Sequence, residues 1–212
     1  MTQIRELYLE AANAAARLIA APEVAAHWTE ASALTGLSVG GLAAHLAGQI
    51  FFIPGVLAEP IPEEPAISLH EYYALSSWVG SDLDTPFNKG IRSSGEKEAA
   101  DGPAALAERV RKCVDELRNT LPDVESRTVR RPTWGPYSIA FDDFVTSRMF
   151  EIIVHCDDLA YSVGLPTPEF PAPAVETVVD ILSRIALRRH GAVDVLRALS
   201  RAERAPASVS AL

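Results

Sequence analysis

IAFDDFVTSRMFEIIVHCDDLAYSV, residues 139–163, is the stretch on which the reading of this chain turns. It reads as one long helix, ended by Gly164 and Pro166. At 100° per residue, Arg148, Glu151, His155 and Asp158 fall within about 80° of one another, a polar line along one face. Glu151 and His155 are one turn apart, so both side chains reach the same point in space. Their neighbours Phe150, Ile152, Ile153 and Val154 are apolar, and a carboxylate and an imidazole in such company need a partner. Alone, the two also read as an ordinary Glu–His pair facing solvent.

A second helix changes the balance. Ser38 is the expected N-cap, and Pro54 with Gly55 the expected stop after Phe52 or Ile53. Within GLAAHLAGQIFF, residues 41–52, His45 has only small and apolar neighbours and one polar companion a turn later, Gln49. A lone histidine there reads first as a hydrogen-bonded core residue. Helical bundles, however, assemble metal sites from facing helices, a one-turn pair from one and a single ligand from another. His45, Glu151 and His155 supply two imidazoles and one carboxylate, and three ligands leave one position open, as in catalytic zinc sites. The same donors suit non-haem iron, so the set points to a divalent metal without choosing it.

The remaining helices follow by periodicity. One runs from about Thr2 to Ala21, where Pro22 ends it. A capping box, Ser68-Leu69-His70-Glu71, starts another. Residues Gly80 to Gly95 read as interrupted, and Leu106, Val110, Val114 and Leu117 mark a helix after Pro103. Thr128 to Tyr137, TVRRPTWGPY, is a loop or extended excursion whose Trp134 lines a pocket mouth or staples the loop. Helices over about Ala174–His190 and Ala192–Arg204 close the chain. No strand alternation is convincing. The architecture is therefore all-α, a four-helix bundle with additional C-terminal helices over residues 1–205 and a tail at 206–212.

Composition limits the function. The chain has 212 residues, 48% hydrophobic, and a formal net charge of -9, which disfavours nucleic acid and anionic membranes as partners. No charged residue lies between Glu30 and Glu59, long enough to span a bilayer, but Thr35, Gly36, Ser38, His45, Gln49 and Pro54 argue for a bundle-core helix. Glu6 and Glu10 argue against a secretory signal. Two cysteines make no disulfide framework and fit a reducing, cytoplasmic setting. His27 and His70 read as surface or cap residues, His190 as a helix C-terminal residue, and Cys156 as packing. Phosphate-cradling loops, nucleophile elbows and nucleotide fingerprints are missing from the sequence.

Three runs carry a resemblance. LTGLSVGGLAAHLAGQ (34–49), preceded by Trp28, and SRMFEIIVHCDDLAYSVGLP (147–166) resemble the two metal motifs of the mycothiol-dependent maleylpyruvate isomerase metal-binding domain, of the DinB-like superfamily. ALRRHGAVDVLRALSRAERA (186–205) resembles the end of that domain. The resemblance implies a DinB-like four-helix bundle with zinc on His45, Glu151, His155 and water. It also implies mycothiol, a small cytosolic thiol, as cosubstrate for isomerisation or for transfer to an electrophile. Arg92 is placed by it as an anion-binding arginine, on loose spacing. The founding isomerases carry a further C-terminal domain; with the sequence ending at Leu212, a stand-alone thiol transferase, or a relative with a different substrate, is expected in preference to maleylpyruvate isomerisation.

The expected function is thus a metal-dependent thiol transferase or isomerase acting on a small electrophile. Asp158, one turn beyond His155, is expected to orient His155 or substrate, or else to pair with an arginine. A non-catalytic metal- or ligand-binding bundle and a metal-dependent hydrolase need the same ligands and remain open, as does the choice between monomer and homodimer.

Overall fold

The computed structural model describes residues 1–76 and 84–212. In chain order these form α1 (Gln3–Ile19), α2 (Pro22–Ala26), α3 (Val39–Ala58), β1 (Ala66–Ile67), α4 (Leu69–Leu75), α5 (Pro86–Glu98), α6 (Pro103–Thr120), β2 (Thr128–Val129), β3 (Ser138–Ala140), α7 (Phe141–Ser162), α8 (Ala172–His190) and α9 (Ala192–Ser200), with short 3-10 turns between. Helices α1, α7, α3 and α6 pack in that cyclic order as a four-helix bundle. Helix α5 covers α3, α8 covers α7, and α9 packs on α8. The all-α bundle with added C-terminal helices is the architecture the periodicity predicts.

Each bundle helix buries the residues its spacing puts on one side. In α3, Leu42, Leu46, Ile50 and Ile53 have no exposed surface, and in α7 the same holds for Phe144, Ile152, Cys156 and Leu159. Full burial of such side chains contributes roughly 1.5–3 kcal/mol each. Helix α1 meets the core through alanines and Tyr8, whose hydroxyl donates to the Gln49 carbonyl at 3.3 Å. Arg5 ties three elements together: its Nε donates to Asp142 at 2.7 Å, and its Nη1 to the Leu121 and Val124 carbonyls at 3.2 and 2.6 Å.

Close approaches explain the glycines of the α3 start. A Cβ on Gly40 would lie 2.6 Å from the Trp28 ring, so that ring packs directly on the helix backbone. One on Gly95 would lie 2.8 Å from the Gly41 carbonyl, so α5 and α3 touch backbone to backbone. Glu96 of α5 completes the junction by accepting from the Ser38 backbone N–H at 2.7 Å and the Ser38 hydroxyl at 2.9 Å.

Several boundaries differ from expectation. Helix α3 does not stop at Pro54 but runs on to Ala58. Proline removes one backbone bond at a cost near 3 kcal/mol, and burial of Ile53 and Val56 on either side offsets it. Pro22 ends α1 and also opens the five-residue α2, where proline's missing donor costs nothing. Most of the stretch expected to be interrupted is α5, capped by Thr85; its residues 80–83 lie outside the described residues. The excursion at 128–137 opens on one strand, β2, and leads into another, β3, both too short to leave an alternating signature. β3 pairs parallel with β1 and antiparallel with β2, with Ile139 facing Ile67 and Val129. This small sheet feeds the chain into α7 and holds residues 130–137 beside the bundle. Helix α3 is long and apolar enough to cross a bilayer, but more than half of that apolar stretch is buried, in contact with α1, α5, α6 and α7.

Candidate metal centre

The packing of α3 against α7 brings His45 to Glu151 and His155. The His45 and His155 Nε2 atoms are 3.2 Å apart, and His155 Nε2 is 3.2 Å from Glu151 Oε2. All three donor atoms lie within 4.8 Å of one another. Ligands at 2.0–2.1 Å from a tetrahedral zinc stand about 3.3–3.4 Å apart. The donor set and its spacing therefore fit a divalent metal held by two imidazoles and a carboxylate.

A hydrogen bond aims His155, and another braces the backbone turn that carries His45. His155 Nδ1 lies 2.9 Å from Asp158 Oδ2, which fixes the proton on Nδ1 and leaves Nε2 for the cluster. Gln49 Nε2 donates to the His45 carbonyl at 3.0 Å, while its Oε1 accepts from Arg148 Nη1 at 2.6 Å. The carboxamide thus couples the α3 ligand turn to the polar line of α7.

The electrostatics separate the two histidines. Burial, reinforced by the neighbouring His155, lowers the His45 pKa to about 3, so its imidazole is neutral. Burial also acts to lower that of His155, but hydrogen bonds to Asp158 and Glu151 outweigh it and raise the value to about 9. Burial would raise the Glu151 pKa; the His155 hydrogen bond and the Arg148 charge override it and hold the carboxylate ionised. The metal-free cluster is therefore a neutral His45 and an anionic Glu151 around a proton on His155, and a metal replaces that proton.

The cluster lies on the wall of a cavity of about 1570 Å³. Ligand pockets usually fall near 300–1,000 Å³, so this one has room for two small molecules beside the metal position. Its other walls come from α3, α5 and the 130–137 loop, with Phe52, Tyr72, Trp134 and Tyr137 among the aromatic lining. Trp134 stacks on Tyr137 and meets Tyr72 in a tilted contact at 5.1 Å, so it lines the cavity while packing on its own loop.

Asp158 also lines the cavity. Arg92 does not stand among the lining residues; it packs its Cδ and Nε against Gly36 at the base of α3. Cys156 is buried, and burial pushes its pKa up to about 12, in keeping with a packing role. His190 sits at the α8 C-terminus with Nε2 2.8 Å from the Ser210 carbonyl. Sequence reasoning missed Phe52, Tyr72 and Arg131 as cavity residues. They come from three separate elements, and no local spacing links them.

Residues 8–160 match the family model described as mycothiol maleylpyruvate isomerase N-terminal domain. The match spans His45, Glu151, His155 and Asp158. No curated protein and no solved structure matches the chain.

Proposed function

The chain belongs to the mycothiol maleylpyruvate isomerase N-terminal domain family, and on that premise we propose that it is a zinc- or other divalent-metal-dependent enzyme. It uses a low-molecular-weight thiol such as mycothiol, in the cytoplasm, to transfer to or isomerise a small electrophile. The observation that carries this reading is a three-donor cluster, with spacing for one metal, opening onto a cavity large enough for thiol and electrophile together.

A bound divalent metal lowers the pKa of a coordinating thiol, so that sulfur is a nucleophile at neutral pH. His45 and His155 present neutral nitrogens and Glu151 a single negative charge, leaving one position for an exchangeable ligand. Asp158 is a positioning residue: it holds His155 in the ligating tautomer. The apolar and aromatic walls keep bulk water away from the sulfur and stack against a flat substrate.

The test replaces the native metal with cobalt in a Cys156→Ser background, which removes the one cysteine beside a ligand. Addition of a cytosolic thiol should produce a sulfur-to-cobalt charge-transfer band. The band should vanish in His45→Ala and His155→Ala protein, each of which retains little metal. Cobalt bound with a spectrum indifferent to every thiol tried would overturn the thiol reading, and thiol-independent turnover would favour a hydrolase.

A further inference from the structure

Helix α8 carries its charges in an order that its packing within the chain does not use. It buries Ala174, Val178, Ile181 and Ile185 against the bundle. On its outward side Glu176, Asp180, Arg184 and Arg188 follow one another four residues apart, and all four are exposed. Residues at this spacing form one ridge of a helix surface. The ridge therefore reads acid, acid, base, base along α8.

Among the described residues, one step of this ridge pairs opposite charges: Arg184 Nε lies 2.9 Å from Asp180 Oδ2. Glu176 with Asp180, and Arg184 with Arg188, set like charges one turn apart, which is unfavourable within a single helix. The helix dipole favours Arg188 in the last turn but does nothing for Glu176, which lies beyond the first. Neither Glu176 nor Arg188 makes an ion pair among the described residues.

Turned end for end, the ridge is its own complement. About a two-fold axis level with Leu182, Glu176 faces Arg188 of the partner subunit and Asp180 faces Arg184 of the partner subunit, and symmetry repeats both pairs. Two such ridges lie parallel when their helices cross at about -50°, the commonest helix packing. A uniformly acidic or basic partner would meet like charge over half of the ridge, whereas an antiparallel second copy meets none. Exposed ion pairs add little affinity by themselves; here they select partner and direction, and apolar contacts supply the attraction. Val175, Val179 and Leu187 of α8 are 39, 52 and 40% exposed, and α9, packed on α8, leaves Val193, Leu196 and Leu199 exposed as well. One helix is narrow for a stable interface of about 800 Å² per partner, and α9 widens the surface.

We propose that α8 is the two-fold interface of a homodimer, in which the Glu176–Asp180–Arg184–Arg188 ridges of two copies pack antiparallel and exchange ion pairs. The inference rests on neither the metal nor the thiol.

Sedimentation of the full chain tests it, with circular dichroism as the folding control. At low salt the wild type should form a reversible dimer of twice the 22.8 kDa chain mass, and added salt should weaken it by screening the exposed pairs. Arg184→Glu with Arg188→Glu, and separately Glu176→Lys with Asp180→Lys, should each weaken dimerisation by about tenfold or more, because every attraction along the ridge becomes a repulsion. Mixed in equal amounts, the two variants should dimerise again, since their heterodimer restores every pair. Where a ridge of one sign loosens α8, the single variants Glu176→Lys and Arg188→Glu, mixed in the same way, decide the outcome. A wild type that stays monomeric into the millimolar range, a dimer indifferent to both reversals, or folded variants that fail to recover on mixing would overturn the interface.

Discussion

Asp158→Asn should weaken the metal, and by an amount that depends on pH. The Asp158 carboxylate lies 2.9 Å from His155 Nδ1 and is one-quarter exposed. It fixes the tautomer that points Nε2 at the cluster and adds negative charge behind the ligand. Outer partners of this kind are worth 10- to 100-fold in metal affinity, or about 1.4–2.7 kcal/mol. Partial exposure places the expected loss in the lower half of that range. The same hydrogen bond also holds the proton with which metal competes, since it helps raise the His155 pKa to about 9. Its removal therefore makes His155 easier to deprotonate. Above pH 9 the proton is absent and the variant should show the whole loss. At pH 7 the weaker proton competitor offsets part of it, and the gap to wild type should narrow by several-fold. Competition against a colorimetric zinc chelator at the two pH values measures this, with circular dichroism as the folding control. Folded Asp158→Asn protein with wild-type affinity at pH 9 would refute the argument that Asp158 positions His155. Lost turnover with unchanged affinity would then assign the carboxylate to substrate.

Two further outcomes follow from the same geometry. Wild-type metal affinity should fall close to tenfold for each pH unit below about 9, because one proton on His155 is displaced while His45, with its pKa lowered to about 3, stays neutral; proton release measured in unbuffered titrations should approach one per metal, and a value near two would contradict the burial-driven neutrality of His45. Arg5→Ala should destabilise the fold by about 2–4 kcal/mol, since it leaves Asp142 and the Leu121 and Val124 carbonyls without their donor; urea denaturation reads this, and a change under about 0.5 kcal/mol would show that solvent replaces the arginine.

The helices and the polar line are legible in the amino-acid order alone. A 3.6-residue period repeats within each helix, so local spacing places Leu42, Leu46, Ile50 and Ile53 together, and Glu151 one turn from His155. His45 stands out in the same way, as a polar residue in apolar company, and the capping residues Ser38 and Ser68 are those the structure uses. What spacing within a segment does not encode is which faces meet. The meeting of His45 with His155 depends on α3 lying against α7, and that contact depends on side-chain complementarity across more than one hundred residues of chain. Pro54 misled because its local cost was visible while the burial that offsets it was not. The short strands escaped because two or three residues carry no period. Arg131 and Arg130 are adjacent and identical in type, yet one braces a loop and the other lies over Phe52 on the cavity wall. That division is made by the tertiary fold, because a charge acquires its role from what is packed around it.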